Sequence, residues 1–183
     1  MLIRKLHLHE RPLFAEHLKR LPANDRQFRF ARAYVTDDAI DRYVAQIAAH
    51  DLILGCFIEE RLVGGVHLAF ADDIAEVGLS VDPDRRTLGV GAELFRRASH
   101  WARNRRAQRL YTLCQSDNRA MIALATKLGM AIHRESGTAE AFLTLDPPDL
   151  VTMSDELSVG VHTVLTDWAD LVRTCHGVLW VGR

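Results

Sequence analysis

The sequence predicts an α/β fold of the α+β kind, built from seven strands and five helices. Alternating or continuous apolar runs predict the strands, and apolar residues at helical spacing predict the helices. The predicted strands span residues 2–8, 52–58, 62–70, 75–81, 109–115, 131–135 and 139–145. A length of 183 residues suits a single domain, or one domain with an appendage.

Apolar patterns justify the elements of the N-terminal half. Residues 2–8 alternate apolar and polar side chains, as a half-buried strand does. Residues 10–21 and 37–49 each place apolar side chains on one face of a helix. The runs 52–58 and 62–70 are joined by a charged turn and therefore predict a β-hairpin.

A connection punctuated by glycines follows the strand over residues 75–81. Val81 precedes a turn that contains Pro83, and Gly89 and Gly91 then lead into an apolar-striped helix. Free backbone N–H groups and the positive end of the helix dipole favour an anion such as phosphate or pyrophosphate. Glycines let such a ligand approach the backbone closely. The connection therefore predicts an anion-binding loop.

Several kinds of loop are compatible with these glycines. A nucleoside triphosphate loop would end in Lys followed by Ser or Thr, whereas this one ends in Gly-Ala-Glu. A dinucleotide loop would have a third small residue where this chain has Leu94. An ordinary strand-to-helix connection is a further alternative. The pattern Arg86-x-x-Gly89-x-Gly91 after Val-x-Pro resembles the acyl-CoA pyrophosphate loop of the GNAT superfamily of N-acetyltransferases.

A second signature lies downstream of this loop. The strand over residues 109–115 precedes a helix that Asn118 or the neighbouring Asp117 caps and that ends at Leu-Gly-Met. The same superfamily has a similar helix that ends at Leu-Gly-Phe. The resemblance covers residues 1–146 and implies a GNAT-like mixed, mostly antiparallel sheet flanked by helices. It also implies that acyl-CoA enters where the strands over 75–81 and 109–115 splay apart.

The resemblance further implies which residues bind acetyl-CoA. Strand backbone before the loop would hold the pantetheine arm, loop amides would bind the pyrophosphate, and an Asn would meet the pantetheine side. In this sequence these are Leu79, Ser80 and Val81, then Arg86, Thr87, Leu88, Gly89, Val90, Gly91 and Ala92, and finally Asn118. We expect acetyl-CoA as co-substrate, no metal ion, and a primary amine as acceptor.

Two catalytic positions depart from the best-known members of the superfamily. Many carry a Tyr acid where this chain has Ala125, and ribosomal-protein N-terminal acetyltransferases carry a Glu base where it has Leu113. The resemblance leaves Glu76 as the candidate base, and a solvent-facing strand carboxylate is the alternative interpretation. Tyr111 and Ser116 are candidate proton donors to the CoA thiolate, and water is another.

Short stretches bear on the acceptor. Met121 with Ala125, and the segment 25–30, resemble stretches of Pat-type bacterial protein lysine acetyltransferases. A protein lysine and a small-molecule amine are both candidate acceptors. The missing catalytic groups also leave open a non-catalytic module that senses acyl-CoA. The acceptor is expected to meet the least patterned segments of the chain, which are residues 22–37 and the C-terminal tail.

Composition limits the other classes of partner. A formal net charge of −1 gives no electrostatic case for nucleic acid or an anionic membrane surface. No apolar run reaches the roughly 18 residues that span a bilayer, and no secretory segment opens the sequence. Three cysteines without C-x-x-C spacing predict buried free thiols, and nine histidines show no metal-binding spacing. We therefore expect a cytoplasmic protein, and the resemblance to Pat-type acetyltransferases implies a bacterial-like enzyme.

A helical extension is predicted beyond Pro147-Pro148, over residues 149–183. Ser154 is the expected N-cap, and the apolar residues that follow recur at intervals of three and four in one narrow stripe. These residues are Leu157, Val161, Val164, Trp168, Leu171 and Cys175. The stripe is compatible with packing on its own domain and with a contact between two subunits of a homodimer.

Overall fold

Seven strands form one sheet in the computed structural model, which describes residues 1–157. The strands are β1 (Leu2–Lys5), β2 (Leu52–Ile58), β3 (Arg61–Ala71), β4 (Ile74–Val81), β5 (Arg109–Gln115), β6 (Ala131–Glu135) and β7 (Thr138–Thr144). Their order across the sheet is β1-β2-β3-β4-β5-β7-β6. All neighbouring pairs are antiparallel except β4 and β5, which are parallel. The predicted mixed, mostly antiparallel sheet is confirmed.

Helices cover both faces of the sheet. They are α1 (Arg11–Arg20), α2 (Ala23–Phe30), α3 (Asp37–Gln46), α4 (Val90–Asn104) and α5 (Arg119–Lys127). Phe14 of α1 lies over Gly65 of β3, whereas Val90 and Leu94 of α4 lie over the preceding Gly64. Successive strand residues point to opposite faces, so α1 and α4 pack on opposite sides of the sheet.

Each face of the sheet has its own apolar core. Phe95 and Trp101 of α4 are buried in the larger core, which also takes in Met121 and Leu124 of α5. The core on the other face joins α1 to α3. Burying a large apolar side chain contributes roughly 1.5–3 kcal/mol, so the two cores hold the helices firmly against the strands.

Helix α2 is an addition to the predicted elements, because the sequence predicts two helices before β2 and the structure has three. Phe28 and Phe30 are two residues apart, so no apolar stripe at helical spacing marks this segment. None of the residues of α2 is fully buried. It packs against β4 and β5, which are far away in the sequence.

Strand β1 ends earlier than the predicted strand over residues 2–8. The chain turns at His7 into a short 3-10 helix, Leu8–Glu10. The Glu10 carboxylate accepts a hydrogen bond from the His7 backbone N–H at 2.9 Å. It also accepts two from the Arg4 guanidinium, at 2.7 and 2.5 Å. This local capping arrangement outweighs the alternating pattern that predicts a longer strand.

The C-terminal extension begins with a helix, α6, over residues 150–157. The prediction that Ser154 caps it was wrong, because Asp149, five residues earlier, forms a reciprocal cap with Thr152. Asp149 Oδ1 accepts from the Thr152 backbone N–H at 2.9 Å, and the Asp149 N–H donates to Thr152 Oγ1 at 3.1 Å. Helix α6 contacts α4, where Asp155 Oδ2 lies 2.9 Å from His100 Nδ1.

The apolar stripe beyond Leu157 lies outside the described residues. Within residues 1–157, no helix combines the length and apolar character needed to cross a membrane.

Candidate active site

A cleft opens between β4 and β5. The two strands pair only from Ile74 to Glu76 on β4 and from Arg109 to Tyr111 on β5. Thr112 Oγ1 still donates to the Val77 carbonyl at 2.9 Å, and beyond this bond the strands pair only with their outer neighbours. The splay that the family resemblance implies is therefore present.

The cleft contains a cavity of about 600 Å³. Strands β4 and β5 form two of its walls, the start of α4 forms one end, and α2 and α5 form the remaining sides. Because the start of a helix faces this cavity, its free amides are directed at whatever occupies the space.

The predicted anion loop has a defined geometry at the α4 end of the cavity. Residues Pro83–Leu88 form a 3-10 helix, and Gly89 then takes a left-handed conformation with φ of 75°. Helix α4 starts directly afterwards, so the N–H groups of Val90, Gly91 and Ala92 have no carbonyl one turn earlier to bond. Gly89 suits this position because side chains strongly disfavour positive φ.

Most of the predicted cofactor-binding residues line the cavity. These are Leu79, Ser80, Val81, Arg86, Thr87, Gly89, Gly91, Ala92 and Asn118. Two loop residues do not line it, since the Val90 side chain is buried in the core and Leu88 is exposed. Their backbone amides remain part of the loop. The Asn118 side chain caps α5, where its Oδ1 accepts from the Met121 N–H at 3.1 Å.

Ser80 belongs to a buried polar cluster at the end of β4. Its Oγ lies 3.0 Å from His17 Nε2, and His17 Nδ1 lies 3.1 Å from Asp82 Oδ1. Arg61 donates to the other Asp82 oxygen at 2.8 Å. The cluster ties α1 to the strand end that precedes the anion loop, which fixes the position of the loop relative to the sheet.

Arg86 is the basic residue of the loop that reaches the cavity. Its Nη2 lies 2.6 Å from Asp25 Oδ2 of α2, and its Nε donates to the Val81 carbonyl at 3.3 Å. Arg96 is held on another side of α4, where it bonds Glu93 at 2.8 Å and Asp155 at 3.3 Å. Of these two arginines, Arg86 is the better placed for a phosphate.

The three candidate catalytic residues lie beside the cavity rather than in its wall. Glu76 is exposed and pairs across the β4–β5 seam with Tyr111. The Tyr111 hydroxyl donates to Glu140 Oε1 at 3.1 Å. Ser116 follows β5, and its backbone N–H donates to the Gly137 carbonyl at 2.9 Å. Glu76 and Tyr111 are therefore brought together, and Ser116 is at the far end of the strand.

The environment of Tyr111 holds its proton tightly. Burial, the hydrogen bond to Glu140 and the negative charges of Glu140 and Glu76 raise the pKa of Tyr111 to about 12. A thiol has an ordinary pKa of about 8.5, so proton transfer from this phenol to a thiolate is uphill. Of Glu76 and Tyr111, the Glu76 carboxylate is therefore the more suitable group for proton transfer in this site.

Several residues of the cavity wall were not predicted. Asn24, Asp25, Phe28 and Arg29 come from α2, and Arg119 and Lys127 come from α5. The segment 22–37 was expected to meet the acceptor, but its folding as a helix across the cleft depends on distant strands. The basic residues of α5 could have been suspected from their position on the helix that Asn118 caps.

The described cysteines are buried free thiols. Cys56 lies in the core and Cys114 lies in the cavity wall. Burial raises the pKa of both thiols, that of Cys56 to about 11, so neither is a ready nucleophile. Cys175 lies outside the described residues. Among residues 1–157, no three His, Cys, Asp or Glu side chains converge as metal ligands would.

A splayed strand pair with a glycine loop at its end is the arrangement that the family resemblance implies, and sequence comparison agrees with that family. The profile of the acetyltransferase (GNAT) family matches residues 15–130. The chain belongs to this family. No curated protein matches the sequence significantly.

Solved structures share the fold at low sequence identity. The GNAT domain of S. lividans PAT is 19% identical with a TM-score of 0.68, over 78% of this chain and 89% of that domain. PaiA N-acetyltransferase from Thermoplasma acidophilum, solved with coenzyme A, is 15% identical with a TM-score of 0.60, over 78% of this chain and 97% of that protein. Salmonella typhimurium YncA, solved with its cofactor acetyl-CoA, is 19% identical with a TM-score of 0.59, over 82% of this chain and 98% of that protein.

Proposed function

We propose that this protein transfers an acetyl group from acetyl-CoA to a primary amine. The observation that carries the proposal is the cavity between the splayed strands β4 and β5, with the free amides of α4 at one end. Two proteins of the same fold were solved with coenzyme A or acetyl-CoA. A pyrophosphate on the α4 amides would direct the pantetheine arm along β4, towards the point where the strands meet.

In the proposed reaction both substrates are bound together. Glu76 accepts a proton from the ammonium form of the acceptor, directly or through water, which leaves a neutral amine. The amine nitrogen attacks the thioester carbonyl carbon, the C–S bond breaks, the CoA thiolate leaves, and the nitrogen releases its second proton to solvent water to give the neutral amide. A backbone N–H of the segment Leu79 to Val81 would stabilise the carbonyl oxygen. Solvent water is the simplest proton source for the thiolate, because Tyr111 holds its proton tightly.

The acceptor remains a choice between a protein lysine and a small amine. Glu76 and Glu140 are exposed carboxylates near the closed end of the cleft, where β4 and β5 pair, and they would attract a cationic acceptor. Both kinds of acceptor are cationic. Mass spectrometry of acetylated products from separate amine and protein pools distinguishes them.

Cofactor binding is tested by adding a negative charge at the anion loop. Ala92→Glu places a carboxylate in the first turn of α4, where it suits the helix dipole but repels a pyrophosphate. We expect acetyl-CoA to bind at least tenfold more weakly in calorimetry, a loss of about 1.4 kcal/mol or more. Ser99→Glu adds the same charge farther along α4 and is the matched control. Equal affinity of the two variants would exclude this loop as the pyrophosphate site.

Turnover is tested separately by detecting free CoA thiol in the presence of the amine and protein pools. Thiol release that depends on an amine supports the transferase. Tight acetyl-CoA binding without release under any condition would instead support the sensor alternative.

A further inference from the structure

We infer that the amine acceptor also carries a carboxylate, and that the Arg29 guanidinium binds this group. The inference rests on the proposed function, because it names the substrate class that the same cleft would accept. Arg29 lies near the C-terminal end of α2 and lines the cavity beside β4. Four observations support it: the place of this side chain, its lack of a counter-charge, the bonds that hold it, and the charges around it.

The Arg29 guanidinium lies directly over the backbone of Gly78. A Cβ at residue 78 would overlap the guanidinium atoms, so the glycine makes room for this side chain. Gly78 is the second residue of β4 beyond the last pair with β5, and Leu79 follows it. Leu79 is one of the residues proposed to face the thioester. Arg29 therefore lies where the reacting part of an acceptor would have to arrive.

Arg29 has a positive charge without a direct counter-charge. Among residues 1–157, no carboxylate forms an ion pair with it, and its Nε is buried without a hydrogen-bond partner. A half-buried guanidinium that faces a cavity is stabilised when an anion enters that cavity. Carboxylates match the planar fork of a guanidinium and accept two parallel hydrogen bonds from it.

A directional chain of hydrogen bonds holds this guanidinium in place. Arg29 Nη2 donates to the Tyr43 hydroxyl at 2.7 Å, and that hydroxyl lies 2.7 Å from His67 Nδ1. His67 Nε2 lies 3.2 Å from Asp51 Oδ2. Since Asp51 accepts from Nε2–H, the free Nδ1 accepts from Tyr43, and the phenol oxygen is left to accept from Arg29.

The protonation state of His67 agrees with this direction of the hydrogen bonds. Burial and the positive charge of Arg29 lower the pKa of His67 to about 4, although Asp51 acts in the opposite sense. A neutral imidazole has one donor and one acceptor nitrogen, as the chain requires. The aromatic rings of Phe30 and Tyr43 lie 5.3 and 5.4 Å from the Arg29 Cζ and restrict the side chain further. The guanidinium is thus positioned before any ligand binds.

The charges on this face of the sheet suit an acceptor with both an amine and a carboxylate. Glu76 and Gly78 lie on the same face of β4, about 7 Å apart along the strand. A cationic amine near Glu76 and a carboxylate on Arg29 would therefore be bound together by adjacent groups of opposite charge. A free amino acid and a lysine beside an acidic residue both have this chemistry.

The test compares matched acceptors that differ only in the carboxylate. Free amino acids are assayed beside their amides, and lysine peptides with a neighbouring Asp are assayed beside peptides with Asn. We expect kcat/KM for the acid to exceed that for the amide by at least about tenfold in one of these series, which identifies the source. Arg29→Gln, which removes the charge but keeps a polar amide, should reduce this ratio to about twofold or less.

Three controls make the result specific. Arg32→Gln removes an exposed charge just beyond α2 and should leave the ratio unchanged. Arg29→Lys keeps the charge and should retain part of the preference. The Kd of acetyl-CoA should change less than about threefold in Arg29→Gln, because a larger change would assign Arg29 to the cofactor site and overturn the inference.

Binding without turnover separates this inference from the proposed function. Protein saturated with CoA is heated with each acid and with its amide, and the melting temperatures are compared. Stabilisation by acids alone, lost in Arg29→Gln, supports the anion site even if no acetyl transfer is detected. Equal behaviour of acids and amides in both assays of the wild-type protein overturns the inference, whatever the variants show.

Discussion

Glu76 is the side chain on which the proposed chemistry depends most. We predict that Glu76→Gln lowers turnover by roughly 10²-fold or more, because the amine then has no base beside it. The loss should shrink as the pH rises, since more of the amine is deprotonated in solution. Steady-state kinetics over a range of pH, with calorimetry to show unchanged acetyl-CoA affinity, measures both effects.

Glu140→Gln is the matched control for that prediction. It removes a second exposed carboxylate on the same side of the cleft, one that bonds Tyr111 rather than the acceptor. We expect a much smaller loss of turnover. Near wild-type turnover in Glu76→Gln at neutral pH would assign Glu76 to the solvent-facing surface instead.

Asp82 makes the stability of the protein depend on pH. Burial alone would raise the pKa of Asp82, but its interaction with His17 and the charges of Arg20 and Arg61 lower it. A carboxylate with a lowered pKa stabilises the folded state fully above its unfolded pKa of about 3.9. That stabilisation is lost as the pH falls towards the lower, folded pKa.

We therefore predict that Asp82→Asn lowers the free energy of unfolding near neutral pH by about 3 kcal/mol, because it leaves buried polar partners unpaired. The variant should also lose part of the decline in stability below about pH 4. Urea unfolding at several pH values measures both. Asp84→Asn is the control, because that exposed carboxylate pairs with its sequence neighbour Arg85 on the surface, and we expect a change below about 0.5 kcal/mol.

At the scale of elements, α2 controls the access of Arg86 to a phosphate. The Asp25 carboxylate holds Arg86 and adds negative charge to the cavity wall. We predict that Asp25→Asn tightens acetyl-CoA binding about threefold to tenfold, or about 0.7–1.4 kcal/mol, because Arg86 is then free to meet the pyrophosphate. Calorimetry measures the change.

The control for this prediction uses another ion pair of the same helix. Asp37→Asn breaks a 2.6 Å pair with Arg26, and neither residue lines the cavity. Acetyl-CoA affinity should not change. Weaker binding in Asp25→Asn would show that the carboxylate positions Arg86 for the cofactor rather than competing with it.

Elements with a strong local pattern could be predicted from the sequence, and contacts between distant segments could not. The strand at 75–81 and the glycine loop could be predicted, because an apolar run or a glycine determines the backbone conformation within a few residues of itself. Helix α2 was missed, since its stability depends on strands that follow it by more than forty residues. Arg29 was missed as a site residue because its place depends on the missing Cβ of Gly78.

At the scale of the whole molecule, the C-terminal extension stays a prediction beyond residue 157. Large apolar side chains left in water each forgo roughly 1.5–3 kcal/mol, so the stripe that contains Trp168 should be covered. We predict that it joins two subunits, and that a chain ending at Pro148 has a lower mass in light scattering than the full chain. Trp168→Ala in the full chain should weaken the association, because aromatic residues dominate interface energetics.

A second expectation accompanies the truncation, since it also removes α6. The contacts of Asp155 with His100 and of Glu156 with Arg105 would be lost, and some decrease in thermal stability should follow. Equal masses and equal kinetics for the two chains would mean that the extension packs on its own domain.

The short β4–β5 seam has a consequence for how the sheet opens. Three residue pairs join the strands β1–β4 to the strands β5–β7, and the chain must close over residues 82–108 to form them. So short a seam should separate in partial unfolding before either half loses its hairpins. Backbone amides that bond across the seam, between residues 74–76 and 109–111, should then exchange with deuterium faster than those in the middle of β3. Bound CoA would contact both halves, and the exchange should slow when it is added.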